Sequence, residues 1–223
     1  MTQRASSGCG CDHDAMITVV LFDLDGVVRH FDPRHVVAIE QRHDLPRGAI
    51  EAVAFSSPLI DEVTTGRVSR QQWIQRIGER LGKPVAAQDW GAQPFVADGA
   101  LLALADELRA AGRTTAILTN GTDTISAESE TLGLPEHFDH IFNSADIGYA
   151  KPDQRAFEHV LRALDVAADA VFFTDDSEAK LAGATSLGMT TQLFTDVVSL
   201  RNALRESGVP VATARRTTRS FEQ

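Results

Sequence analysis

The chain has 223 residues, 43% of them hydrophobic and 23% charged, and Lys+Arg 21 against Asp+Glu 31 gives a formal net charge of −10. That balance excludes a general nucleic-acid or anionic-membrane binder, which needs a positive face, and the apolar run 15–22 is far short of the ~20 residues that cross a bilayer. The length suits one domain carrying an insertion, or two small ones.

Residues 1–15 are expected to form a disordered leader, without the apolar stretch of a signal peptide. They hold both cysteines, Cys9 and Cys11, a usage that predicts a reducing, cytoplasmic setting. Cys9, Cys11 and His13 offer soft metal ligands, but they make an incomplete set.

Residues 17–22 (ITVVLF) are β-branched and aromatic, the pattern of a strand covered on both faces in a parallel sheet. Between about 31 and 97 no strand pattern recurs. Segments 33–42, 46–55 and 58–65 each open with a proline and read as short amphipathic helices. A fourth helix opens with a capping box, Ser69-x-x-Gln72, and sets Trp73, Ile74, Ile77 and Leu81 on one face. This stretch, 31–97, is predicted to be a helical cap.

The alternation resumes at Asp98, a helix cap followed by Leu101, Leu104, Ala105 and Leu108, with Gly112 just beyond. Strands are predicted at 114–119, 170–174 and 190–194, with a weaker one at 141–143. Between them, one helix begins near Thr122. Another starts at Pro152 and carries Phe157, Val160, Leu161 and Leu164. A third holds Leu181 and Leu187 ahead of Gly188. Strand and helix alternating in this way predict a doubly wound α/β fold, Rossmann-like, with its core in 16–30 and 98–207. Residues 208–223, with Arg215, Arg216 and Arg219, are expected to be a flexible tail.

The chemistry-bearing residues gather at strand ends, where an open α/β sheet places its ligand crevice. Asp23 and Asp25 follow the first strand, and Gly26 permits a sharp turn or a close approach. Paired carboxylates repel unless a proton or a hard cation relieves them; the alternative is a solvated Asp/Gly turn. Thr119-Asn120-Gly121 ends the second predicted strand, as a phosphate site near a helix N-terminus or as a simple cap and turn. Lys151 stands immediately before Pro152. Asp175 and Asp176 form a second acidic pair after a buried strand.

These four motifs in this order, Asp23-x-Asp25-Gly-Val, Thr119-Asn120, Lys151-Pro152-Asp153 and Asp175-Asp176-Ser177, resemble those of the haloacid dehalogenase (HAD) superfamily, in its branch with a small helical cap. The resemblance covers about 16–205 and implies a sheet in the order 3-2-1-4-5 beneath the cap. It implies Mg²⁺-dependent hydrolysis of a small phosphate monoester, a phosphorylated metabolite, by a monomer or homodimer. Asp23 would be the nucleophile forming an aspartyl-phosphate, and Asp25 the general acid and base. Asp23, Asp176 and the backbone carbonyl of Asp25 would hold Mg²⁺, with Asp175 in direct or indirect contact. Thr119 and Asn120 would bind phosphoryl oxygens, and Lys151 would neutralise them. An aspartate at position 25 favours phosphate esters over carbon–halogen bonds, because halide departs without protonation.

Two alternatives remain at this level: a sugar phosphomutase of the same family, and a HAD-like metal- or partner-binding module without turnover. The second draws on Lys180, four residues after Asp176, where the family often has Asp or Asn. A cation in the first turn of a helix opposes the helix dipole; it faces either the substrate phosphate or solvent. His30, Phe31, Asp32, Arg34 and His35 are candidates to meet the leaving group or else cap and solvate the linker, and Trp73 reads as cap core.

Overall fold

A computed structural model describes residues 16–212. The expected leader, with Cys9, Cys11 and His13, lies outside the described residues, as do Arg215, Arg216 and Arg219. β1 (Val19–Phe22) is followed by β2 (Arg29–Phe31), α1 (Pro33–Arg42), α2 (Ala49–Ala54), α3 (Leu59–Thr64), α4 (Arg70–Leu81) and α5 (Pro84–Gly91). β3 (Phe95–Ala97) leads into α6 (Gly99–Ala110), β4 (Thr114–Thr119), α7 (Ile125–Thr131), α8 (Leu134–His137), β5 (His140–Asn143) and α9 (Ser144–Ile147). Then come α10 (Gln154–Leu164), β6 (Val171–Asp175), α11 (Glu178–Ser186), β7 (Thr190–Leu193) and α12 (Val197–Glu206).

Among the described residues, β1, β4, β5, β6 and β7 form one parallel sheet in the order β5-β4-β1-β6-β7. Numbered within that sheet, the order is the expected 3-2-1-4-5. β1 is central, with Val19 opposite both Thr114 and Val171. Its side chains alternate between the two layers, as a period of two requires. Val20 and Phe22 pack with Leu101, Leu104 and Leu200 on one face, and Val19 and Leu21 with Phe157, Val160 and Phe173 on the other. Double burial is why these strands read as unbroken apolar runs.

α1–α5 enclose a separate core of Ile50, Leu59, Val63, Trp73 and Ile77, and each fully buried aliphatic side chain contributes ~1.5–3 kcal/mol. Ser69 caps α4 with the reciprocal bonds of a capping box. Against expectation, this segment is bounded by strands: β2 and β3 pair antiparallel, with Arg29 opposite Ala97 and Phe31 opposite Phe95. Three-residue strands show no periodicity, and their pairing partner lies a whole insertion away in sequence. α3 and α4 seat on the sheet's edge through Ser144 Oγ, which donates to Thr64 O at 2.5 Å, and Arg70 N, which donates to Asp123 Oδ1 at 2.7 Å.

Three further boundaries differ from expectation. α10 begins at Gln154, because the Asp153 carboxylate caps it by accepting from Arg155 N; Pro152 precedes the cap. The helix expected near Thr122 begins at Ile125. Residues 208–212 are not a loose tail: Val209 is buried in the sheet's core with Val211 against it, and Ala212 N donates to Glu107 Oε1. Two isolated valines are too weak a pattern to reveal that anchoring. Among the described residues no helix is long and apolar enough to cross a membrane.

Candidate active site

Asp23 follows β1 directly, so the most buried strand delivers its carboxylate to the crevice at the sheet's carboxyl edge. Its Oδ1 accepts from Leu24 N and from Lys151 Nζ, both at 2.7 Å. The same ammonium donates to Asp175 Oδ2 at 2.7 Å, and Asp175 ends β6, the parallel neighbour of β1. All three side chains are essentially inaccessible. Burial opposes ionisation of Asp23, but the charges of Lys151 and Lys180 outweigh it and hold the carboxyl below its ordinary range. Asp175 is pushed up, by burial first and then by the charge of Asp23, despite the lysines.

Lys151 is placed by Asn120. The Asn120 amide donates to Lys151 O at 2.8 Å and accepts from Lys151 N at 2.7 Å. Both ends of the carboxamide are therefore committed to backbone. These two bonds position Lys151 and use one of the two Nδ2 hydrogens, while Asn120 itself lines the cavity beside Asp25. Thr119 closes β4 and is buried there.

Asp23, Asp175 and Asp176 offer carboxylate oxygens within 4.8 Å of one another. Such a set suits a hard dication of the Mg²⁺ type. Gly26 makes the approach of Asp176 possible: its φ is +85°, and a Cβ at Gly26 would collide with the Asp176 carboxylate. The side chain of Asp25 is held elsewhere. Arg29 grips it with Nε at 2.5 Å from Oδ1 and Nη2 at 2.9 Å from Oδ2. Arg29 is itself buried, reaches Glu128 Oε2 with Nη1 at 2.5 Å, and lies over both the Phe31 and Phe95 rings, 5.1 and 5.2 Å from their centroids. Glu128 also accepts from Thr124 Oγ1 at 2.7 Å. No sequence signal marks Arg29 or Glu128, because their meeting depends on the β2–β3 pairing and on α7.

Lys180 faces inward. Its Nζ lies 3.4 Å from Asp23 Oδ2, 3.8 Å from Asp175 Oδ1 and 3.9 Å from Asp176 Oδ1. Partial burial works against this ammonium, but the three carboxylates raise its pKa above the ordinary lysine value.

Beside Asp25 a cavity of about 290 Å³ opens between α1–α5 and the sheet, walled by Phe31, Phe55, Val63, Trp73, Trp90 and Phe95. Trp73 is thus both cap core and cavity wall, its ring edge-on to Trp90 at 5.2 Å. The hydroxyls lining this cavity are already engaged: Thr64 Oγ1 donates to Ile60 O at 2.7 Å, and Thr122 Oγ1 pairs with Thr124 Oγ1 at 2.9 Å. Its arginines, Arg29 and Arg70, both face Glu128. Of the linker candidates, Phe31 alone lines the cavity. His30 faces Asp98 at 3.4 Å, and Arg34 and His35 turn to Asp32, the cap of α1.

The sequence matches the haloacid dehalogenase-like hydrolase family over residues 17–188. It is 28% identical over 214 residues to bifunctional epoxide hydrolase 2 of Rattus norvegicus, covering 85% of this chain and 38% of that protein. The chain therefore spans about two-fifths of the length of that curated relative. A phosphatase of Mycobacterium tuberculosis is 28% identical over 202 residues, covering 79% of this chain and 87% of the phosphatase. A HAD family enzyme of Bacteroides thetaiotaomicron, solved with magnesium and inorganic phosphate, superposes with a TM-score of 0.67 at 20% identity, covering 82% of this chain and 98% of that one.

Proposed function

The chain belongs to the haloacid dehalogenase-like hydrolases, and from that premise we propose that it hydrolyses small phosphate monoesters with Asp23 as nucleophile. The carrying observation is a buried Asp23 kept anionic between two ammoniums, with Asp25 held at the mouth of the adjoining cavity. The M. tuberculosis phosphatase among its relatives supports the choice of phosphate.

In this reading a carboxylate oxygen of Asp23 attacks phosphorus, the P–O bond to the alcohol breaks, and Asp25 gives the departing oxygen its proton. Asp25 then takes a proton from the water that attacks the aspartyl-phosphate, releasing phosphate and restoring Asp23. Lys151 offsets charge on the phosphoryl group and keeps Asp23 Oδ1 fixed, while Arg29 fixes both oxygens of Asp25. Asp23, Asp175 and Asp176 would hold Mg²⁺, as the magnesium-bound Bacteroides enzyme supports; the ion would supply a Lewis acid for the phosphoryl oxygens. The body of the alcohol goes into the cavity beside Asp25. Its largely apolar walls suit an alcohol with an apolar body, to which the buried Trp90 Nε1 and Gln93 Oε1, without partners among the described residues, offer one donor and one acceptor.

Release of phosphate from an aryl phosphate with Mg²⁺, lost by roughly 10³-fold or more in Asp23→Asn, is the expected result. Retained turnover in that variant would refute the assignment. Lys180 against Asp23 favours one other reading, a binding module without turnover; it predicts no phosphate release from wild-type chain across a broad panel of esters.

A further inference from the structure

We propose that Lys180 is a tethered cation occupying the divalent-metal seat of this chain, so that metal entry requires its ammonium to leave. The inference rests on the reading of Asp23, Asp175 and Asp176 as that seat.

The two lysines divide the carboxylate oxygens between them. Lys151 takes Asp23 Oδ1 and Asp175 Oδ2, each at 2.7 Å. Lys180 faces the opposite oxygens, Asp23 Oδ2 at 3.4 Å and Asp175 Oδ1 at 3.8 Å, together with Asp176 Oδ1 at 3.9 Å. Those are the oxygens Lys151 leaves over, and a dication held by the cluster would draw on the same ones. The contact to Asp23 is a long hydrogen bond and the other two are ion-pair distances alone, so the ammonium is shared among three carboxylates rather than tightly committed to one.

Position on the helix reinforces the point. Lys180 sits in the first turn of α11, where a cation is disfavoured by the helix dipole, so the carboxylates must hold it there. Three carboxylates against two ammoniums leave one net negative charge, where Lys151 alone would leave two. The ammoniums also differ in freedom. The Lys151 side chain is 0% exposed and that of Lys180 is 31% exposed, so only Lys180 has solvent to move into. The consequence is a metal seat that is electrostatically satisfied at rest and takes the dication in competition with its own side chain.

The test is calorimetric titration of Mg²⁺ into wild-type protein, Lys180→Asn, Lys180→Met and the charge-retaining Lys180→Arg, with thermal melts in metal-free buffer. Binding about tenfold tighter or more is expected in the Asn and Met variants, with Lys180→Arg near wild type. Both neutral variants should melt lower without metal and regain stability when Mg²⁺ is added. Equal affinity across all four proteins overturns the role of Lys180 and leaves the metal seat standing. Absence of Mg²⁺ binding in all four overturns both. Binding by the neutral variants alone supports the proposal in its strongest form.

Discussion

Arg29 holds both oxygens of Asp25, at 2.5 and 2.9 Å, from a buried position against two phenylalanine rings. The pair joins the turn after β1 to the strand that leaves for the cap. Its geometry explains how an aspartate with a 41% exposed side chain keeps one orientation at a cavity mouth. A fork-shaped donor fixes the plane of the carboxylate, which a single point charge does not.

Arg29→Lys is expected to keep the charge and lose the fork. In the proposed reaction kcat should fall with KM little changed. Arg29→Met should cost about 1–3 kcal/mol of stability, because the half-buried Glu128 loses its closest cation and keeps only Thr124 and the more distant Arg70. Urea unfolding and steady-state kinetics on the two variants separate these effects; a fold loss in Met without a kcat loss in Lys would assign Arg29 to stability alone.

Glu128 gives a pH prediction. Burial raises its pKa, but Thr124, Arg29 and Arg70 outweigh burial and hold the carboxyl below its ordinary 4.5. A depressed folded-state value means that the stabilisation is fully present above pH 4.5 and is lost as pH falls through the folded value. Wild type should therefore exceed Glu128→Gln in unfolding free energy at about pH 6, with the difference shrinking toward about pH 3. A gap independent of pH would exclude titration of Glu128 as its source.

Both tryptophans of the chain, Trp73 and Trp90, line the cavity. Intrinsic fluorescence of the Asp23→Asn variant should therefore change when an apolar phosphate ester binds, and respond far less to inorganic phosphate. Phe55, more than half exposed and edge-on to Trp90 at 6.2 Å, should contribute to that binding without supporting the fold. Phe55→Ala is expected to weaken the ester by about 2–10-fold while leaving the melting temperature nearly unchanged. An unchanged ester affinity would place the alcohol outside the cavity.

Legibility in the sequence follows the range of the interaction. Val19–Phe22 and Val171–Asp175 could be read because burial on both faces leaves an unbroken apolar run. Asp98 and Ser69 could be read because a cap bonds within its own first turn. Asp23, Lys151, Asp175 and Asp176 stood out as polar residues at strand ends, and the fold brings them together. Arg29 and Glu128 could not be read, since 99 residues separate them and neither belongs to a local pattern. The pair of hydrogen bonds between Asn120 and the Lys151 backbone was hidden for the same reason: which way an amide turns depends on a loop 31 residues away.

The pairing of Arg29 with Ala97 brings the departure and return of the inserted helices to one point on the sheet's edge. Strands so paired can be joined by a two-residue turn. What lies between them can accordingly vary in length, or be exchanged for another module, without shifting the register of β1 against its neighbours. Selection can thus remodel the cavity that receives the alcohol while the carboxylates and lysines keep their places, so the recognising half of the protein is free to change faster than the reacting half.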